Sequence, residues 1–77
     1  METIRLEKVI PEKNQSRYYS LRIEINLFGE FSLILDWGRI GRSCRTVSTP
    51  FPDYDTAVAA MDKKVSEKLK RGYVSTT

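Results

Sequence analysis

Between Asp36 and Arg45 the chain reads Asp-Trp-Gly-Arg-Ile-Gly-Arg-Ser-Cys-Arg, and most of its capacity for chemistry lies there. The stretch holds the single tryptophan, Trp37, two of the four glycines, Gly38 and Gly41, and the arginines Arg39, Arg42 and Arg45. No acidic residue follows Asp36 until Asp53. Guanidinium groups match phosphate oxygens in a rigid fork. A flat indole offers its face to a sugar or a base. A glycine-loosened, cationic strand carrying one large ring can therefore grip a phosphate backbone while the ring meets the nucleotide.

Little else in the chain supports covalent or metal chemistry. There is no histidine, which removes the usual general base and the commonest metal ligand. Cys44 is the only cysteine, so it has no partner for a disulfide, a metal site or a catalytic pair, and a reducing compartment is expected. No pair of carboxylates is spaced for general acid–base work, and Gly38-Arg39-Ile40-Gly41 is too short for a nucleotide loop. No catalytic residue, metal or cofactor is expected. With 77 residues the chain is read as one domain over 1–77, burying only roughly 60–65% of its unfolded surface. A deep substrate cavity is hard to build from so small a core.

The formal net charge of +3 is unevenly spread. Residues 1–36 carry five basic and six acidic groups, residues 37–52 three basic and none acidic, and residues 53–77 five basic and four acidic. The excess thus sits in the Trp37 segment, with a second focus near the C-terminal end. Localised positive charge of this kind suits a polyanionic partner. No apolar run approaches the ~20 residues of a membrane span, and the first residues do not read as a signal peptide. A soluble, cytoplasmic protein is expected, nucleoid-associated if bacterial.

Four strands and a helix should position these groups. Ile4 to Ile10 alternates and stops at Pro11. Glu12 to Ser16 reads as a polar connection. Tyr19, Leu21, Ile23, Ile25 and Leu27 share one face of a second strand, with Tyr18, Ser20, Arg22, Glu24 and Asn26 on the other. A turn at Phe28-Gly29-Glu30 leads into Phe31, Leu33, Leu35 and Trp37, so a hairpin is expected. Gly38 and Gly41 should interrupt this third strand. Arg45 to Thr49 forms a fourth, ended by Pro50-Phe51-Pro52. Asp53 is a good N-cap for a helix whose apolar stripe is Ala57, Val58, Met61, Val65 and Leu69. Lys64, Lys68 and Arg71 border it, Gly72 stops it, and residues 75–77 should fray. The fold class is α+β: a small antiparallel sheet with one C-terminal helix packed across it.

Trp37-Gly38-Arg39-Ile40-Gly41 resembles the signature of the WGR domain. Paired aromatics upstream, Arg17-Tyr18-Tyr19, and a helix with a basic end downstream, Glu67 to Tyr73, match that family in order. The resemblance spans residues 3–74. In the WGR domains of poly(ADP-ribose) polymerases this tryptophan meets DNA at a strand break, near the 5′-terminal nucleotide. The resemblance therefore implies that Trp37 packs against a terminal sugar and that Gly38 and Arg39 lie at the bound surface. It also implies that Lys68 to Tyr73 approaches nucleic acid. Many members carry glycine where Cys44 stands and glutamine where Arg45 stands, so this loop is bulkier and more cationic.

The candidate binding set is thus Arg17, Tyr18, Trp37, Gly38, Arg39, Arg42, Arg45, Lys64, Lys68, Arg71 and Tyr73. Each has a plainer reading. Trp37 shares the face of Phe31, Leu33 and Leu35 and would serve as a core residue. Arg39 would pair with Asp36 or Glu30, and the helix cations would be a solvated face. The expected function is a non-catalytic module that binds nucleic acid, DNA by resemblance, through backbone and strand ends. The sequence itself distinguishes neither DNA from RNA nor ends from continuous duplex. The alternative is a protein-interaction module that docks on a partner or self-associates through a sheet edge. A monomer or weak homo-oligomer fits both.

Overall fold

A computed structural model describes residues 3–42 and 44–76. Five strands form one antiparallel sheet: β1 (Thr3–Ile10), β2 (Gln15–Ile25), β3 (Phe31–Arg39), β4 (Cys44–Phe51) and β5 (Val74–Ser75). Their spatial order is β4-β3-β2-β1-β5. Helix α1 (Tyr54–Lys70) lies across one face. The expected α+β arrangement is present, with one strand more than foreseen. That strand comes from the chain end expected to fray. Val74 and Ser75 pair with β1, and the Thr76 amide donates to the Arg5 carbonyl at 2.9 Å. Thr77 lies outside the described residues.

The alternation of β2 is what builds the core. Leu6, Tyr19, Leu21, Ile23, Leu33 and Ala57 are buried between sheet and helix, and Leu6, Leu21 and Ala57 are fully inaccessible. Asp53 caps α1 as expected, its carboxylate accepting from the Thr56 amide at 2.8 Å. The β2–β3 turn is tied by Asn26, whose side-chain oxygen accepts from the Phe28 and Glu30 amides, each at 2.9 Å.

Five local expectations are corrected. Strand β2 ends at Ile25, so Asn26 and Leu27 belong to the turn, and Leu27 is fully exposed instead of sharing the core face. The polar connection is shorter than Glu12 to Ser16, because a 3₁₀ turn at Pro11–Lys13 and a left-handed Asn14 (φ 53°) reverse the chain and β2 begins at Gln15. Gly38 does not interrupt β3: it pairs with Tyr18 on one side and Cys44 on the other. Only Gly41, at φ 82°, breaks away, in the turn to β4. Strand β4 runs through Pro50, which an edge strand tolerates because its missing N–H can face outward. Lastly, Leu69 is 46% exposed, and the inward position of the last helical turn belongs to Lys68.

Candidate nucleic-acid interface

The hairpin register sets the site. Tyr19 lies directly opposite Trp37, and Arg17 opposite Arg39, all four on the helix side of the sheet. Here β2 and β3 run past the end of α1, so core positions become a surface. The Tyr19 and Trp37 rings stack with centroids 5.8 Å apart and planes 15° from parallel. Trp37 is half-buried, which joins its two sequence readings: it closes the core against Tyr19 and lines the cleft beyond it.

The helix end forms the second wall. The Lys68 ammonium sits 4.5 Å from the Tyr19 ring centre and 5.7 Å from that of Tyr73. Burial, then the positive charges of Arg71 and Lys64, push its pKa down. Burial, with Tyr73 and Glu67 nearby, pushes the Tyr19 hydroxyl up. Gly72, at φ 97°, ends the helix and lets the chain turn back so that Tyr73 reaches the site. Lys8 locks this end from β1: its ammonium donates to the Arg71 carbonyl at 2.7 Å and lies 5.9 Å from the Tyr73 ring. A cation there also suits the negative end of the helix dipole.

Between these walls is an open cleft of about 650 Å³, bordered by Arg17, Tyr18, Tyr19, Trp37, Gly38, Arg39, Lys68 and Tyr73. Among the described residues it is lined by three cations and no carboxylate. Among the described residues, none of the three cations forms an ion pair. Arginines placed directly opposite on neighbouring strands repel each other, and that cost falls when an anion sits between them. Arg39 does not pair with Asp36 or Glu30. It donates weakly to Asn14, at 3.3 Å to the carbonyl and 3.4 Å to the side-chain oxygen. Asp36 points to the reverse face, where it accepts from Thr46 at 2.6 Å and from Arg22 at 2.7 Å.

Seven of the eleven expected residues border this cleft, and four do not. Arg45 is on the same face but one strand further out, opposite Trp37. Arg42 lies in the β3–β4 turn, its amide bonded to the Arg39 carbonyl at 3.0 Å. Lys64 is a helical turn earlier, 3.8 Å from Glu67, and Arg71 caps the helix. Tyr18 borders the cleft, but its side chain is turned away from it. Its ring lies on the reverse face beneath the Arg5 guanidinium at 4.5 Å, and a hydrogen bond with Cys44 pushes its hydroxyl pKa up. Two residues that shape this region were not foreseen: Tyr19, which lines the cleft, and Lys8, which holds the helix end behind it. The Tyr19–Trp37 pairing depends on a loop of Leu27-Phe28-Gly29 between paired Asn26 and Glu30, whereas the expected turn at Phe28-Gly29-Glu30 would set Tyr19 against Arg39. Lys8 gave no signal, because its partner is the carbonyl of Arg71, at the far end of the chain.

Among the described residues no three metal-binding side chains cluster, and no helix is long and apolar enough to cross a membrane. No solved structure matches the chain at a significant level. An uncharacterized protein of Sinorhizobium fredii, y4dW, is 38% identical over 68 residues, covering 88% of this chain. The chain spans about a third of that relative's length, 33%. The family profile described as the WGR domain matches residues 2–77. With the Trp37 signature seated between the Tyr19 stack and the basic helix end, the chain belongs to the WGR domain family.

Proposed function

We propose that this chain is a non-catalytic nucleic-acid-binding module that takes the end of a DNA strand into the Trp37 cleft. Arg17, Arg39 and Lys68 hold phosphate oxygens, and the indole of Trp37 packs against the terminal sugar or base. The observation that carries this reading is the Arg17–Arg39 pairing across two strands, beside the Tyr19–Trp37 stack and without a compensating carboxylate. Family membership supports nucleic acid as the partner class. The concave shape supports an end: a cleft of about 650 Å³ suits one nucleotide unit, whereas uninterrupted duplex presents a convex surface. Arg42, Arg45, Lys64 and Arg71 stand outside the cleft and raise the local positive potential that draws a polyanion in. Recognition is through backbone and shape, with little reading of base edges. An intracellular place of action suits such a partner and a free thiol at Cys44.

The test is fluorescence anisotropy with labelled duplexes that are blunt, nicked with a 5′-phosphate, or closed as a hairpin. Trp37→Ala and Tyr19→Phe are measured alongside, with folding checked by circular dichroism. Stacking on an aromatic ring contributes about 1–3 kcal/mol per base. Trp37→Ala should therefore weaken binding to the nicked duplex by about 5- to 150-fold, with a smaller effect on the closed hairpin. Equal binding of all three duplexes, unchanged in Trp37→Ala, would refute end recognition by the cleft.

A further inference from the structure

The two edges of the sheet are unequal. On one side the edge is β5, only two residues long. On the other it is β4, eight residues long and exposed from Cys44 to Pro50. Long open edges are usually blunted by charge, proline or a covering element. Along β4 the only charge is Arg45 and the only proline is Pro50.

The hydrogen-bond phase of the sheet shows which β4 groups are unused. The Ile40 amide donates to the Ser16 carbonyl and the Asn26 amide to the Glu30 carbonyl. Even-numbered residues of β3 therefore bond towards β2, and odd-numbered ones towards β4. From the β3–β4 register, Arg45, Val47 and Thr49 bond inward, while Cys44, Thr46 and Ser48 point their main-chain groups outward. Pro50 falls in the outward set, as a residue without an N–H must. Among the described residues, no main-chain bond to another element involves those three outward amides.

We propose that β4 pairs antiparallel with the β4 of a second copy of this chain, centred on Thr46. The outward positions are symmetric about that residue. Cys44 meets Ser48 of the second copy, Thr46 meets Thr46, and Ser48 meets Cys44, with two hydrogen bonds at each pairing. Moving the centre to Ser48 would set Thr46 against Pro50, which has no N–H to give. The proline thus disfavours that register, and centring on Thr46 pairs all three outward residues that have an N–H. No acidic group intervenes, and Arg45 falls opposite Val47, which is 44% exposed in the single chain. The two Arg45 residues lie roughly 8 Å apart from strand spacing and rise, within a Debye length at about 0.1 M salt. Salt should therefore strengthen this association, the reverse of its effect on nucleic-acid binding. The pairing keeps both helices on one side of a continuous sheet. The two Trp37 clefts then open on the same face, roughly 16 Å apart.

Sedimentation velocity without nucleic acid, from micromolar to millimolar protein, tests the proposal. The expected result is a reversible monomer–dimer equilibrium that shifts towards dimer as salt rises. Ser48→Pro removes two outward bonds and no inward one, and should lower the association constant about 30-fold. Val47→Lys sets a second cation against Arg45 and should weaken dimerisation at low salt more than at high salt. This second variant decides the matter if Ser48→Pro does not fold. A chain that stays monomeric throughout, or a dimer indifferent to both substitutions, would overturn the proposal.

Discussion

Changing Arg39 isolates one proposed phosphate contact from the rest of the fold. Its side chain is exposed and, among the described residues, held only by the two long contacts to Asn14, so Arg39→Gln should alter stability by no more than about 0.5 kcal/mol. If Arg17, Arg39 and Lys68 each neutralise one phosphate of duplex DNA, log affinity falls with log salt at a slope of about −2.7. Going from about 50 to 200 mM salt then weakens binding about 40-fold. In Arg39→Gln the slope becomes about −1.8, and the same change costs only about 12-fold. Lys68→Gln should behave alike, whereas Arg45→Gln, outside the cleft, should slow association and leave the slope nearly unchanged. The assay is anisotropy with a labelled nicked duplex at four or more salt concentrations. A wild-type slope shallower than about −1, or slopes that do not move in Arg39→Gln and Lys68→Gln, would refute the assignment of phosphates to this cleft.

Three further outcomes concern the scaffold. The Thr46 hydroxyl, then the Arg22 guanidinium, hold the Asp36 carboxyl below its ordinary pKa. The stability this provides is present above about pH 4 and is lost as pH falls through the lowered value. Asp36→Asn should thus cost about 1–2 kcal/mol near pH 7 and much less in acid, read from urea unfolding at both. Leu21→Ala, at a fully buried position, should cost about 3 kcal/mol by the same method, while Leu69→Ala should stay within about 0.5 kcal/mol. Gly72→Ala places a side chain at φ 97°, with its Cβ 3.4 Å from Lys8 Cε. It should lower stability by at least about 1 kcal/mol and displace Tyr73, seen as a change in tyrosine fluorescence.

Most of the architecture was legible because local physics agrees with the final fold. The period-two pattern of β2 sets its buried face, Gly29 marks the turn although the strand ends two residues earlier than its pattern suggests, and Asp53 has an amide three residues ahead to accept from. The misreadings share a cause. Leu69 and Lys68 are adjacent on α1, and periodicity admits either as the last inward residue. Which one faces the sheet depends on where the helix crosses it. Gly38 reads as a break by composition, yet strands on both sides supply its hydrogen bonds, and those partners are remote in sequence.

The chain by itself determined the ingredients of the site: one indole, a run of arginines without acids, a basic helix end, and alternation that puts Trp37 on the apolar face. Only the tertiary structure decided which of these lie together. Cross-strand pairing brought Arg17 to Arg39 and Tyr19 to Trp37, the helix end delivered Lys68 and Tyr73, and the pleat sent the Tyr18 ring and Asp36 to the reverse side. The reason is physical. Residue type and spacing set what a side chain can bind and which face of its own strand it takes. Charge compensation depends on neighbours far along the chain, and those neighbours exist only once the strands and helix have packed.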